Sequence, residues 1–415
     1  MQLVNVLLIN KFLYPRGGDA ISTIYTGKIL ANKGHNVSYW GMHHDDNPFY
    51  PLSSLFTSYV DYDSKNIYYK FINLTKILYS FEAKNKMYDV LERINPDIIH
   101  LNNFAHQLSP SILDAICRYR IPVAMTMRDY KVVCPSYRMI SNGYPCDQCK
   151  NGMYFNCTLN RCTKNSYLKS LVNTAEMYLH HNILKCYDKI NIYISPSIFL
   201  LEKVHEMGFR KKVVHVPNCI DVQSIIPCYD YQENTIIYVG RLSHEKGIET
   251  LINAVKRLKS VHLKIVGDGP LKASLAGKLQ TENISNVSLL GYKTGIDLFN
   301  EIRSSAFLVI PSEWYENNPR TVIEAFALGK PVLGARMGGI PELVHDWETG
   351  LTYSSGDEQE LREKIHILLD YPEAIKEMGR NGRKMVENEL NPDLYYQRLI
   401  EVYQNAQKMD QADSK

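Results

Sequence analysis

PSEWYENNPRTVIEAFALGKPVLGARMGGIPELV, Pro311 to Val344, closes one apolar strand, crosses a polar loop, enters a helix and leaves it into a second strand. Asn318 is placed to N-cap the helix, and Pro319 fits its first turn. The helix start then offers free backbone N–H groups and a positive dipole end to the loop, a ready site for phosphate. Glu316 lies in that loop. Glu324 stands about 9 Å further along the helix axis than Asn318, at ~1.5 Å per residue. A carboxylate only accepts hydrogen bonds and can take two O–H donors, so this spacing suits a sugar hydroxyl pair.

The same alternation of strand and helix extends outward in both directions and argues for parallel sheets covered by helices. It occurs twice. In the first half VNVLLIN (Val4 to Asn10), NVSYW (Asn36 to Trp40), DIIHL, PVAMTM, INIYIS and KVVHV read as strands. After Pro217-Asn218 it restarts with TIIYVG and continues through HLKIVG, NVSLLG, AFLVIP and PVLGA. Beyond Gly356 the chain reads as helices. The expected organisation is therefore α/β throughout: residues 1–220 form one domain with a Cys-rich loop at 128–165, and 221–391 form a second, each a parallel sheet covered by helices. A helix from Pro392 crosses back to the first domain before a frayed tail at 415.

The composition, 45% hydrophobic and 22% charged over 415 residues, belongs to a globular protein and excludes disordered and collagen-like chains. No apolar run approaches the roughly 20 residues that span a bilayer, and no secretory leader is legible, so a cytoplasmic location is expected. The net charge of +3 conceals an asymmetry. Residues 1–220 hold 25 Lys and Arg against 16 Asp and Glu, or +9, while 221–415 hold 22 against 28, or −6. The basic residues form no nucleic-acid-binding run, so the anionic partner is read as a phosphate-bearing substrate or the inner face of the cell membrane. Residues 65–81, KNIYYKFINLTKILYSF, have the aromatic and lysine spacing of an interfacial helix, or of a helix packed on the core.

GRLSHEKG, Gly240 to Gly247, brings Arg241 and Lys246 to the mouth of the second sheet, where two cations would stabilise a diphosphate. Gly17-Gly18, after the first strand, leave room for backbone to approach a ligand from the other domain.

Together these segments resemble glycosyltransferase family 4, with the two-Rossmann-domain GT-B fold. PRGGDA is similar to the family's Gly-Gly loop, LANKGHNVSYW to its first helix-strand unit and VPNCID to its interdomain Asn-x-x-Asp. YVGRLSHEKGIETLINA resembles the opening of its donor domain, and VGDGP, GY and the E-x7-E segment follow in order. The resemblance implies transfer of a sugar from a UDP- or GDP-sugar, with retention of configuration, to a glycan or polyprenyl-linked acceptor, as in bacterial surface polysaccharide or glycoconjugate biosynthesis. It implies a hexosyltransferase-type activity. By matching position, Glu316 would contact the donor sugar and Glu324 the ribose, while Arg241 and Lys246 hold the diphosphate. Asn317 and Asn318 would touch phosphate or sugar, and the segments around Gly267 and Tyr292 would line the base. No catalytic metal is expected, and Asp61-Tyr62-Asp63 is read as surface.

One departure stands out: MTMRDYKVVCP has Arg128 where many relatives place a His before Asp-Tyr. A guanidinium cannot serve as a base, but it can bind phosphate. Two other readings remain open, a sugar-nucleotide epimerase on the same fold and a catalytically silent zinc-containing binding protein. The zinc reading comes from Cys134, Cys146, Cys149, Cys157 and Cys162, spaced C-x11-C-x2-C-x7-C-x4-C. A structural zinc takes four thiolates, with Cys134, Cys146, Cys149 and Cys162 as the expected set, Cys157 in reserve, and disulfides or unpaired thiols as the alternatives.

Overall fold

A computed structural model of the protein describes residues 3–60 and 75–413. Asp61, Tyr62, Asp63 and residues 65–74 of the 65–81 segment lie outside the described residues.

Strands β1 (Asn5–Ile9), β2 (Asn36–Trp40), β3 (Ile98–Leu101), β4 (Val123–Thr126), β5 (Ile192–Ser195) and β6 (Val213–His215) form one parallel sheet in the order β2-β1-β3-β4-β5-β6. Strands β7 (Thr235–Val239), β8 (His262–Val266), β9 (Val287–Gly291), β10 (Leu308–Ile310), β11 (Val332–Ala335) and β12 (Gly350–Tyr353) form the second, ordered β9-β8-β7-β10-β11-β12. Both orders reverse direction once, beside β1 and beside β7. At such switch points a crevice opens at the carboxyl ends of the strands.

The inner strands read as apolar runs because both faces of each sheet are covered. In β1, Leu7 and Ile9 enter one core with Trp40, Ile99 and Met125, while Val6 and Leu8 enter another with Ile98, Ile192 and Ile194. The helix Pro392–Asp413 completes that second layer. Its Tyr395, Leu399, Tyr403 and Ala406 recur at helical spacing and are buried there. Tyr395, Tyr396 and Tyr403 also hydrogen-bond Thr26, His35 and His100 at 2.8, 2.7 and 2.8 Å. Among the described residues no helix is long and apolar enough to cross a membrane.

The short edge strand β12 was not expected from the sequence. Its residues, GLTY, place a glycine and a threonine in a four-residue run. They pair with β11 from Val332↔Gly350 to Ala335↔Tyr353 and are fully buried.

The two sheets meet through their carboxyl ends. Asn317 Nδ2 donates to Met127 O at 3.2 Å and Ser197 Oγ to Asn317 Oδ1 at 2.7 Å. Backbone N–H groups of Ile198 and Phe199, at the start of the helix Ile198–Glu206, donate to the Glu342 carboxylate at 2.8 and 2.6 Å. Helix dipole and hydrogen bonds both favour an anion at that end.

Candidate active site

The loop after β10 places Glu316 inside the protein, 7% exposed. Lys246, in the short turn His244–Lys246 after β7, donates to its Oε1 at 2.6 Å, and Ser312 Oγ donates to the same oxygen at 2.5 Å. Burial pushes the carboxyl's pKa up, but the Lys246 charge and these hydrogen bonds outweigh it and hold Glu316 below the ordinary carboxylate range. The ammonium also lies 4.9 Å from the centre of the Trp314 ring. A lysine has three N–H donors, so its bond to Glu316 leaves two for a ligand.

Gly338 and Gly339 form the floor of this loop. A Cβ on Gly338 would lie 2.1 Å from Glu316 O, and one on Gly339 would lie 1.9 Å from Asn317 O. Gly338 also has φ +62°. Gly339 N donates to Glu316 O at 2.8 Å, so the GARMGG turn sets the height of the carboxylate.

Asn318 does not cap the next helix, contrary to expectation. That helix spans Arg320–Ala327, Pro319 occupies the N-cap position, and no side chain caps it. The Asn318 carboxamide is taken by the other half of the molecule: Asn218 N donates to Asn318 Oδ1 at 3.1 Å, and Asn218 Nδ2 donates to Asn318 O at 3.0 Å. Arg128 closes this bridge. Its Nη1 donates to Asn218 Oδ1 at 2.9 Å, and its Nε and Nη2 donate to Asn102 Oδ1 at 3.1 and 2.9 Å. Burial lowers the pKa of Arg128, but a guanidinium stays charged in protein.

Glu324, on the Arg320–Ala327 helix, has a side chain 17% exposed and lies 3.7 Å from Arg320 Nε. Burial raises its pKa and Arg320 offsets only part of the rise. Across the opening, a Cβ on Gly18 would stand 3.9 Å from Arg320 Cδ. The Gly17-Gly18 turn therefore faces the same helix. Gly17, at φ −170°, is simply extended, and a Cβ there would meet nothing closer than Asp19 Oδ1 at 3.5 Å.

The remaining expected residues are less closely knit. Arg241 is exposed, and its carbonyl accepts from Tyr238 Oη at 2.8 Å. Tyr292 is 60% exposed at the end of β9. Gly267 has a packing reason independent of any ligand: at φ +150° its Cβ would lie 1.8 Å from Gly240 O. Sequence reasoning missed Asn102, Ser197, Ser312 and Glu342. Only Ser197 carried a local signal, as the N-cap of Ile198–Glu206, accepting from Leu200 N at 3.1 Å.

Residues 16–224 match the family described as Glycosyltransferase Family 4, and 229–385 match Glycosyl transferases group 1. The chain belongs to glycosyltransferase family 4. An uncharacterised 42.6 kDa protein in the cps region of Klebsiella pneumoniae is 26% identical over 356 residues, 82% of this chain and 87% of that one. The capsular polysaccharide biosynthesis glycosyltransferase CapM of Staphylococcus aureus is 29% identical over 182 residues, 41% of this chain and 46% of its own length. The crystal structure of Anabaena HepE in complex with UDP and glucose superposes with TM-score 0.67 at 16% identity, over 96% of this chain and 99% of that one. The fold is thus GT-B, two Rossmann-like doubly wound domains facing a cleft.

In this family 4 glycosyltransferase the Cys-rich loop gathers all five of its cysteines, Cys134, Cys146, Cys149, Cys157 and Cys162, around one cavity of about 10 Å³. All are free thiols, which leaves the disulfide alternative without support in the structure. Among the described residues no three His, Cys, Asp or Glu side chains stand in a metal-ligating arrangement. A hydrogen bond from the Cys157 thiol to Cys162 moves Cys162 down to about 7 and Cys157 up. Burial raises Cys149 to about 12 and also pushes Cys134 up.

Proposed function

We propose that this glycosyltransferase moves a hexose, with retention of anomeric configuration, from a UDP- or GDP-sugar to a hydroxyl of a glycan or polyprenyl-linked acceptor in surface polysaccharide biosynthesis. The observation that carries the reading is the buried Glu316–Lys246 pair at 2.6 Å, set where the carboxyl ends of the two sheets meet. The UDP and glucose bound in the Anabaena structure favour a UDP-sugar, and the Staphylococcus relative favours a polysaccharide product.

In this reading the acceptor oxygen bonds to the anomeric carbon on the face from which the diphosphate leaves. The bond from that carbon to the diphosphate oxygen breaks, and a departing oxygen takes the acceptor proton. Lys246 and Arg241 meet the charge that develops on the leaving group. Glu316, kept ionised, orients the donor sugar and holds Lys246 in place. Glu324 accepts from the ribose hydroxyls, Asn317 and Asn318 line the phosphates, and Tyr292 and the backbone at Gly267 border the base. Arg128 acts through Asn218, positioning the Asn318 backbone from the acceptor side. The excess of basic residues in 1–220 supports work at the inner face of the cell membrane.

A structural zinc on Cys134, Cys146, Cys149 and Cys162 is part of this proposal. Its support is the cavity that these thiols share, and it requires Cys162 to leave Cys157. About one equivalent of zinc in protein purified without chelator is expected.

Mass spectrometry of products from a panel of UDP- and GDP-sugars with lipid-linked acceptors tests the transfer, and NMR of the new linkage tests retention. An acceptor heavier by one hexose is expected. An isomerised sugar nucleotide with the acceptor unchanged would replace this reading by the epimerase, and binding without reaction by the silent protein.

A further inference from the structure

The helix Tyr167–Tyr178 is built inside out. It buries Ser170, Asn173, Thr174 and Glu176 with one apolar residue, Met177, and turns Tyr167, Leu168, Leu171 and Ala175 to solvent. Leu168 is 67% exposed and Leu171 46%. Leu168, Leu171 and Ala175 follow at three- and four-residue steps and so form one stripe. On the neighbouring helix Phe155–Leu159, which packs against it, the two terminal residues Phe155 and Leu159 are also exposed.

The helix cannot roll over to hide this stripe, because its polar face is tied down. Thr163 N donates to Ser170 Oγ, and Asn173 Nδ2 donates to Thr163 Oγ1, each at 3.0 Å. Thr158 Oγ1 donates to Thr174 Oγ1 at 2.8 Å, and Lys131 Nζ to Glu176 Oε2 at 2.6 Å. Rolling would leave these buried polar groups unpaired.

The charge around the stripe is predominantly positive, with exposed Asp147 and Asp188 flanking it in sequence. From 150 to 185 the chain carries Lys150, Arg161, Lys164, Lys169 and Lys185, and its single acid, Glu176, is buried on Lys131. Apolar side chains standing among cations match the boundary between anionic headgroups and acyl chains. A second copy fits poorly, since a two-fold contact would set this predominantly basic surface against itself.

We propose that the outward face of Tyr167–Tyr178, with Phe155 and Leu159, docks on an anionic bilayer surface. The docking face is coupled to the cleft through Lys131, which follows Arg128 and Asp129 and grips Glu176 from the acceptor side. A protein seated there holds its acceptor entrance at the membrane, within reach of a lipid-linked hydroxyl. The inference deepens the acceptor part of the proposed function and rests on it for its purpose. Its test uses no sugar nucleotide, so the two readings fail separately.

The test is co-sedimentation of the full chain with phosphatidylcholine vesicles, with and without phosphatidylglycerol. Binding to the mixed vesicles that falls as salt rises is expected. L168Q/L171Q should lower partitioning on the order of tenfold, by removing the inserted side chains. R161Q/K169Q should lower it about tenfold and flatten the salt dependence. Circular dichroism should show an unchanged fold in both variants, because all four side chains are exposed. The proposal is overturned if the wild type ignores phosphatidylglycerol, or if folded L168Q/L171Q binds as the wild type does. It is also overturned if the chain is a dimer in solution that L168Q/L171Q dissociates, which would make a second copy the occupant.

Discussion

Glu316 and Glu324 lie in one loop-helix unit, both largely withdrawn from water, yet their carboxyl groups shift in opposite directions. Glu316 has Lys246 at 2.6 Å and Ser312 at 2.5 Å, and these more than offset its burial. Glu324 has only Arg320 at 3.7 Å, and burial prevails. The first carboxylate is completed by the protein, whereas the second lacks the donors that a ligand's hydroxyls would bring. A charged partner already in place suits stabilisation of a transition state, and an unsatisfied acceptor suits recognition of the ground state.

Glu316→Gln gives the largest expected effect. It should lower kcat by a factor on the order of 10²–10³ with the melting temperature nearly kept, because the amide retains the shape but releases Lys246. Steady-state kinetics on the product assay measures it, and near-normal turnover would break the contrast. Lys246→Ala should cost on the order of 10² in kcat. Arg241→Ala should cost about tenfold and respond more to salt, since Arg241 is exposed and its charge more screened.

Glu324→Gln should raise KM for the sugar nucleotide about tenfold and leave kcat close to wild type, as expected when a hydrogen bond to a charged group is lost in ground and transition states alike. A fall in kcat as large as that for Glu316→Gln would erase the distinction between the two residues.

The smallest effects are in pH. A raised pKa keeps the Glu324 proton to higher pH, and only the ionised group is a pure acceptor. KM should therefore fall as pH rises through and above the ordinary carboxylate range, and Glu324→Gln should flatten that dependence. Stability moves the opposite way. The folded state prefers protonated Glu324, so the residue's cost to stability builds as pH rises through the ordinary carboxylate range and is complete above its raised pKa. Thermal melting should show Glu324→Gln more stable than wild type at neutral pH, with the gain vanishing towards acid.

Much of this architecture was legible before any coordinates, for a physical reason. A parallel strand covered on both faces must be apolar along its length, so NVLLI, TIIYV and PVLGA announce themselves. Gly350–Tyr353 escaped because four residues containing Gly and Thr carry too little pattern, and only pairing with β11 makes them a strand. The Asn318 cap failed for a related reason. Local rules assume that a polar side chain serves its own helix, and here Asn218, 100 residues away, claimed it.

By itself, then, the amino-acid order determined the two doubly wound sheets, the family and the residue types gathered at the cleft, because periodicity and short motifs are local and survive without coordinates. Tertiary structure alone decided which of these residues meet. It joined Lys246 to Glu316 and linked Arg128 to Asn318 through Asn218. It also turned the apolar side of Tyr167–Tyr178 outward, where amphipathic spacing alone would have placed it inward. Spacing shows that a helix has two faces. Which face is buried depends on the partners that distant segments supply, and here Lys131, Thr158 and Thr163 satisfy the polar one.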